Sequence, residues 1–93
     1  MNSNEMTLTD IYLMTQALHL YIDAVVCENT AEAAENERTA RKLYQAYVFG
    51  NTPNVPRHIL RSAMQLLRDR GEIRVKAAKR DLELIEDLER KVL

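Results

Sequence analysis

One stretch of the chain, residues 56–70, concentrates the side chains best suited to binding chemistry. Its apolar residues repeat with helical spacing, and five polar side chains fall together on the other side of a helical wheel, within about 100°: Arg57, His58, Arg61, Gln65 and Arg68. Guanidinium groups bind phosphates, carboxylates and guanine edges, and a glutamine amide can pair with adenine. We call these five residues the arginine face and predict that they bind a partner.

A second basic group precedes the arginine face in the sequence. Arg38, Arg41 and Lys42 lie in a predicted helix that ends before the break at residues 50–56, where three of the four Gly and Pro residues are found. A basic helix, a turn and another basic helix follow in the order that a helix-turn-helix requires. We therefore predict that these three residues also contribute to binding.

Catalytic and metal-binding patterns are not found in this sequence. His19 and His58 fall on different predicted helices and have no spacing typical of metal ligands, so His19 is interpreted as a surface or interface residue. Cys27 has no basic neighbour that could activate it, and we expect it to be a small buried apolar residue. The sequence predicts neither an enzyme nor a cofactor or metal site.

Apolar periodicity predicts two helices in the first half of the chain. Helix 1 is expected to start at a cap, Thr7 or Thr9, and to run to about Glu28 as the buried centre of the domain. Its wide apolar arc places three residues among the most buried, Leu18, Tyr21 and Val25. A capping box of Asn29 and Glu32 is predicted to begin helix 2, which ends at Gly50.

Two more helices are predicted in the second half. Pro56 suits the first turn of helix 3, which is expected to end before Gly71. Helix 4 is predicted from about Ala77 to Val92. It carries a narrow apolar seam, which consists of Ala78, Leu82, Ile85, Leu88 and Val92. Such a seam suits either a helix pair within the chain or a homodimer contact, and we favour the homodimer. Residues 72–76 alternate polar and apolar, which fits a short strand or the start of helix 4.

These elements predict an all-α, compact bundle of about four helices in one domain, residues 1–93. The expected organisation is a flexible N-terminus at 1–6, one helical pair at 7–49, a linker at 50–55 and a second pair at 56–93. No apolar run is long enough for a membrane span, and no basic residue precedes Arg38 as a secretory or transit signal would require. Together with the single cysteine, this favours a cytoplasmic protein.

Charge is distributed unevenly although the total is −1. Residues 1–37 carry seven acids and no base, residues 38–80 carry eleven bases and two acids, and residues 81–93 carry five acids and two bases. A basic segment of this kind can mark a nucleic-acid surface. The alternative is that acidic and basic segments pack beside each other within the fold or across a dimer.

The segment Asn54-Val55-Pro56-Arg57-His58-Ile59-Leu60-Arg61-Ser62-Ala63-Met64-Gln65-Leu66-Leu67-Arg68-Asp69-Arg70-Gly71-Glu72-Ile73 resembles the recognition-helix segment of winged-helix DNA-binding domains. In that family a helix ending in a leucine-rich L-R-D-x-G-x-I pattern leads into a strand. The resemblance covers about 20 residues and implies DNA binding by the arginine face. No second wing strand is recognisable, since the helical pattern returns from Ala77.

Two functions follow as expectations. The first is a small non-enzymatic regulator or inhibitor that docks its charged helical surface on a protein partner, because arginine is enriched in protein interfaces. The second is a helix-turn-helix or winged-helix-like transcriptional regulator that binds DNA through the helix at 56–70. We favour the protein partner, because a domain of nearly neutral net charge lacks the usual electrostatic footprint of a nucleic-acid-binding protein.

Overall fold

The computed structural model of the chain describes residues 6–73 and 78–92, and of residues 71–73 and 78–82 it describes the backbone alone. These residues form four α-helices, and no strand occurs among them. The helices are α1, Leu8–Val26; α2, Ala31–Val48; α3, Arg57–Ile73; and α4, Ala78–Val92. The prediction of an all-α bundle of four helices is confirmed. None of the helices in the described residues is long and apolar enough to cross a membrane.

The start of α1 is a complete capping box. The Thr7 hydroxyl oxygen accepts a hydrogen bond from the Asp10 backbone N–H at 3.1 Å, and the Asp10 carboxylate accepts one from the Thr7 N–H at 2.9 Å. Two N–H groups that the helix leaves without partners are satisfied in this way. Thr7, one of the two predicted caps, is therefore the N-cap of α1.

Two predictions about the turn between α1 and α2 are wrong. Asn29 does not cap α2, because its φ of 52° places it in the left-handed region that reverses the chain. The cap is Thr30, whose hydroxyl oxygen accepts from the Ala33 N–H at 3.0 Å. Cys27 is exposed and not buried as expected, because α1 ends at Val26 and the cysteine already belongs to the turn.

The end of α3 lies beyond the predicted position. The helix begins at Arg57, where the Pro56 carbonyl accepts from the Leu60 N–H at 2.9 Å, and it continues through Gly71 to Ile73. A glycine within a helix costs only about 1 kcal/mol relative to alanine, so it does not have to end one. The possible strand at 72–76 is therefore wrong for residues 72 and 73, and residues 74–76 lie outside the described residues.

The core is built around α1, which packs against all three other helices. Leu18 is fully buried, and Tyr21 and Val25 are each 5% exposed, so the three residues predicted to be most buried are confirmed as core residues. α1 packs with α2 and α3 packs with α4, and the additional contact of α1 with α3 joins the two helical pairs. This arrangement explains why α1 needs a wide apolar arc.

The seam of α4 lies inside the domain. Ile85 and Leu88 are buried in the core, and Val92 packs against it while partly exposed. The side chains of Ala78 and Leu82 lie outside the described residues. For Ile85 and Leu88 the intrachain alternative is thus the one found, and a homodimer stays a prediction.

A buried ion pair connects the end of α4 to the start of α1. Lys91 Nζ lies 2.6 Å from Asp10 Oδ2, and the two side chains are only 13% and 5% exposed. Burial alone would raise the pKa of Asp10, but the hydrogen bonds from Lys91 and Thr7 outweigh it and lower that pKa below its ordinary value of 3.8. The same contact raises the pKa of Lys91. Asp10 thus caps α1 and binds α4 with one carboxylate.

The connection before α3 is fixed at both ends. Gly50 adopts a φ of 86°, which suits glycine, and its N–H donates to the Tyr47 carbonyl at 3.0 Å. Further along, the buried Tyr47 side chain donates from its hydroxyl to the Pro53 carbonyl at 3.1 Å. This segment therefore sets where α3 begins relative to α2.

Candidate functional site

The arginine face is oriented by the buried side of α3. Ile59, Leu60, Ala63, Met64 and Leu67 point into the core and are at most 3% exposed. The opposite side of the helix therefore faces outward, and four of the five residues in the arginine face are exposed: Arg57, His58, Arg61 and Gln65.

Arg68 differs from the other members of the arginine face. Its guanidinium donates to both carboxylate oxygens of Glu89 on α4, at 2.9 and 3.3 Å, and its side chain is 32% exposed. Such a two-point contact fixes the planar guanidinium against the carboxylate. Arg68 therefore contributes to the packing of α3 on α4, a role that the sequence pattern did not reveal.

A groove of about 640 Å³ lies between the C-terminal end of α1, the N-terminal part of α2 and one side of α3. His58, Arg61 and Gln65 line it from α3, and Glu28 and Glu32 line it from the turn region of α1 and α2. We call this cavity the mixed-charge groove. It brings members of the basic and acidic segments of the sequence onto one surface.

Apolar side chains complete the mixed-charge groove. Tyr21 and Val25 of α1 and the half-buried Leu66 of α3 all line it. Burial raises the pKa of Tyr21, and the nearby negative charges of Glu28 and Glu32 raise it further. Two negative charges therefore lie close to the apolar lining on this side of the groove.

Polar contacts hold two side chains of the α3 wall. His58 Nε2 lies 3.3 Å from Asn36 Oδ1 of α2, and Gln65 donates from Nε2 to Asp69 Oδ1 at 2.8 Å. Arg61, between them on the helix surface, makes no hydrogen bond or ion pair with any of the described residues. Its guanidinium is thus a charged group of the groove that is exposed and held by none of the described residues.

Arg57 borders a different cavity. It lines a groove of about 350 Å³ together with Tyr47, Val55 and Lys91, near the connection that precedes α3. Arg57 and Arg61 are one helical turn apart, but they open onto separate depressions. The predicted arginine face therefore consists of three parts. His58, Arg61 and Gln65 line the mixed-charge groove, Arg57 lines the second groove, and Arg68 is paired with Glu89.

The second basic group lies apart from the mixed-charge groove. Arg38, Arg41 and Lys42 are exposed on α2, and none of the three lines the groove. Arg41 is paired with Glu37 one turn earlier, at 2.8 Å. The two predicted basic surfaces therefore do not merge in this cavity.

The acidic wall of the groove was missed by the sequence reasoning. Glu28 and Glu32 contributed there only to a net charge and to a capping pattern. The sequence offered one signal for this wall. Glu28 and Glu32 lie on either side of the predicted turn between helices 1 and 2, against which helix 3 could also pack.

His19 is exposed and lies 3.4 Å from Asp23, and no group of residues suited to a metal ion occurs in the described part of the chain.

Comparison with known proteins adds no relative: no protein-family model, curated protein or solved structure matches this chain.

Proposed function

We propose that this chain is a small non-enzymatic regulatory or inhibitory protein that binds a protein partner through the exposed part of the arginine face and the mixed-charge groove. The observation that carries the proposal is that Arg61 shares the groove with Glu28 and Glu32. A nucleic-acid backbone is negative throughout, so the glutamates repel it from this surface. A protein segment can present charges of both signs.

The chemistry of Arg61 supports an interface role. A guanidinium without an internal partner can bind a carboxylate with two parallel hydrogen bonds, and such contacts are strong and directional. The adjacent apolar lining offers an area that a partner side chain can cover. Arginine is also enriched among the few residues that supply most of the energy of protein interfaces.

Affinity capture from cell extract, with and without nuclease, tests this proposal. A protein partner is expected to remain after nuclease treatment and to bind Arg61→Ala more weakly by about 2 kcal/mol or more, which corresponds to about 30-fold in Kd. Arg90→Ala is the matched control, because Arg90 is exposed on α4, lies outside the groove and is not among the predicted binding residues. Recovery of nucleic acid alone would contradict the proposal.

DNA binding is the second candidate, supported by the exposure of Arg57, His58 and Arg61 in the first two turns of α3. This role would agree with the winged-helix resemblance of residues 54–73. In that case affinity for duplex DNA falls steeply with salt, and removing one phosphate-binding arginine lowers the log-log salt slope by about one. Submicromolar, sequence-selective binding that Arg61→Ala abolishes would make this the correct function.

A further inference from the structure

We propose that the mixed-charge groove binds a short segment of a protein partner in which an apolar side chain lies between an acidic and a basic one. The inference rests on the proposed function and specifies the partner. Three features of the groove support it: a cationic wall formed by Arg61 of α3, an anionic wall formed by Glu28 and Glu32, and an apolar lining from Leu66 and from α1, the helix that packs against both α2 and α3.

The cationic wall selects the acidic residue of the segment. Arg61 is exposed and has no ion-pair partner in the described part of the chain, while His58 and Gln65 are already held by Asn36 and Asp69. An incoming carboxylate can therefore pair with Arg61 without breaking an internal salt bridge. A guanidinium and a carboxylate can form two parallel charge-assisted hydrogen bonds, which are stronger than hydrogen bonds between neutral groups.

The anionic wall selects the basic residue. Glu28 and Glu32 are both exposed, and neither forms a salt bridge with any residue that the structure describes. Both residues line the same groove as Arg61. A lysine or arginine of the partner would compensate these two charges, whereas a second acid at this position would be repelled.

The lining between the walls accounts for the apolar residue. The exposed Ala24 and the half-buried Leu66 are the accessible apolar residues of this lining, whereas Tyr21 and Val25 are each only 5% exposed. The cavity of about 640 Å³ lies within the range of about 300–1,000 Å³ typical of binding pockets. Covering this lining removes apolar area from water and supplies affinity that exposed charge pairs alone do not. The charges then set the direction in which the segment lies.

Selection from a displayed library of random 12-residue peptides on the whole protein tests the inference. The peptides enriched on the wild type are expected to carry an acid and a base on opposite sides of an apolar residue. On Arg61→Glu the acid should be replaced by a base, and on Glu28→Lys/Glu32→Lys the base should be replaced by an acid. Arg90→Glu, a charge reversal at an exposed residue outside the groove and outside the predicted binding residues, should select the wild-type pattern, and far-UV circular dichroism verifies that each variant is folded.

A synthetic copy of the best peptide provides the quantitative test. Exchanging its acidic and basic residues is expected to weaken binding to the wild type by at least about tenfold and to restore binding to the triple charge-reversed variant. Purely acidic peptides that bind through Arg61 and ignore Glu28 and Glu32 would overturn this inference and leave the proposed function standing. Peptides that Arg61→Glu does not affect, or that duplex DNA displaces at physiological salt, would contradict both.

Discussion

Leu18→Ala tests the architecture most directly, because Leu18 is fully buried at the middle of the helix that contacts all the others. Three buried carbon atoms at about 0.8 kcal/mol each give a loss of about 2.4 kcal/mol. A remaining cavity of about 40 Å³, at about 24 cal/mol per Å³, adds about 1 kcal/mol. We expect a loss of about 3 kcal/mol in the free energy of unfolding.

That loss is large for a domain of 93 residues, whose total stability is expected to be about 5–14 kcal/mol. Urea denaturation followed by far-UV circular dichroism measures it, and the Tm should fall by about 12 °C or more. Leu8→Ala is the matched control, since Leu8 lies on the same helix and is 86% exposed; its effect should stay within about 0.5 kcal/mol. A loss below about 1 kcal/mol for Leu18→Ala would refute the central position of α1.

Three further predictions concern the ends of the helices. Asp10→Asn should destabilise the protein at neutral pH. Because the pKa of Asp10 is lowered on folding, the difference in free energy of unfolding between this variant and the wild type should disappear as the pH falls below 3.8. A difference that persists in acid would contradict the ion pair with Lys91. Thr30→Ala should cost about 1 kcal/mol while Thr30→Ser retains the cap, and equal losses in chemical denaturation would show that Thr30 is not the cap. Gly50→Ala should cost about 1 kcal/mol from its positive φ alone, since no atom lies within 4 Å of the added Cβ; an unchanged Tm would argue against this turn.

Features that depend on residues three or four positions apart could be predicted from the sequence. The capping role of Thr7 and the burial of Leu18 follow from spacings of three or four residues, which a helix converts directly into contacts. The cap of α2 was displaced by one residue because Asn29 and Thr30 can both cap a helix, and only the direction of the chain reversal decides between them.

Contacts between distant parts of the sequence could not be predicted. Arg68 has a suitable partner in any of several acids, and its pairing with Glu89 depends on how α3 and α4 pack. The same holds for the groove that Arg61 shares with Glu28 and Glu32, which makes part of an apparent basic face a surface of mixed charge. Helical periodicity gives the face on which a residue lies, but it does not say which other helix that face meets.

The contact between Asp10 and Lys91 also bears on how the domain folds and opens. It joins residues 81 positions apart, so its formation closes nearly the whole chain into a loop, and the entropy lost on closure grows with loop length. The α1–α2 hairpin closes over only a few residues and can form first. We therefore expect the final turn of α4 to dock late in folding and to detach early in local opening, with faster amide hydrogen exchange there than in the centre of α1.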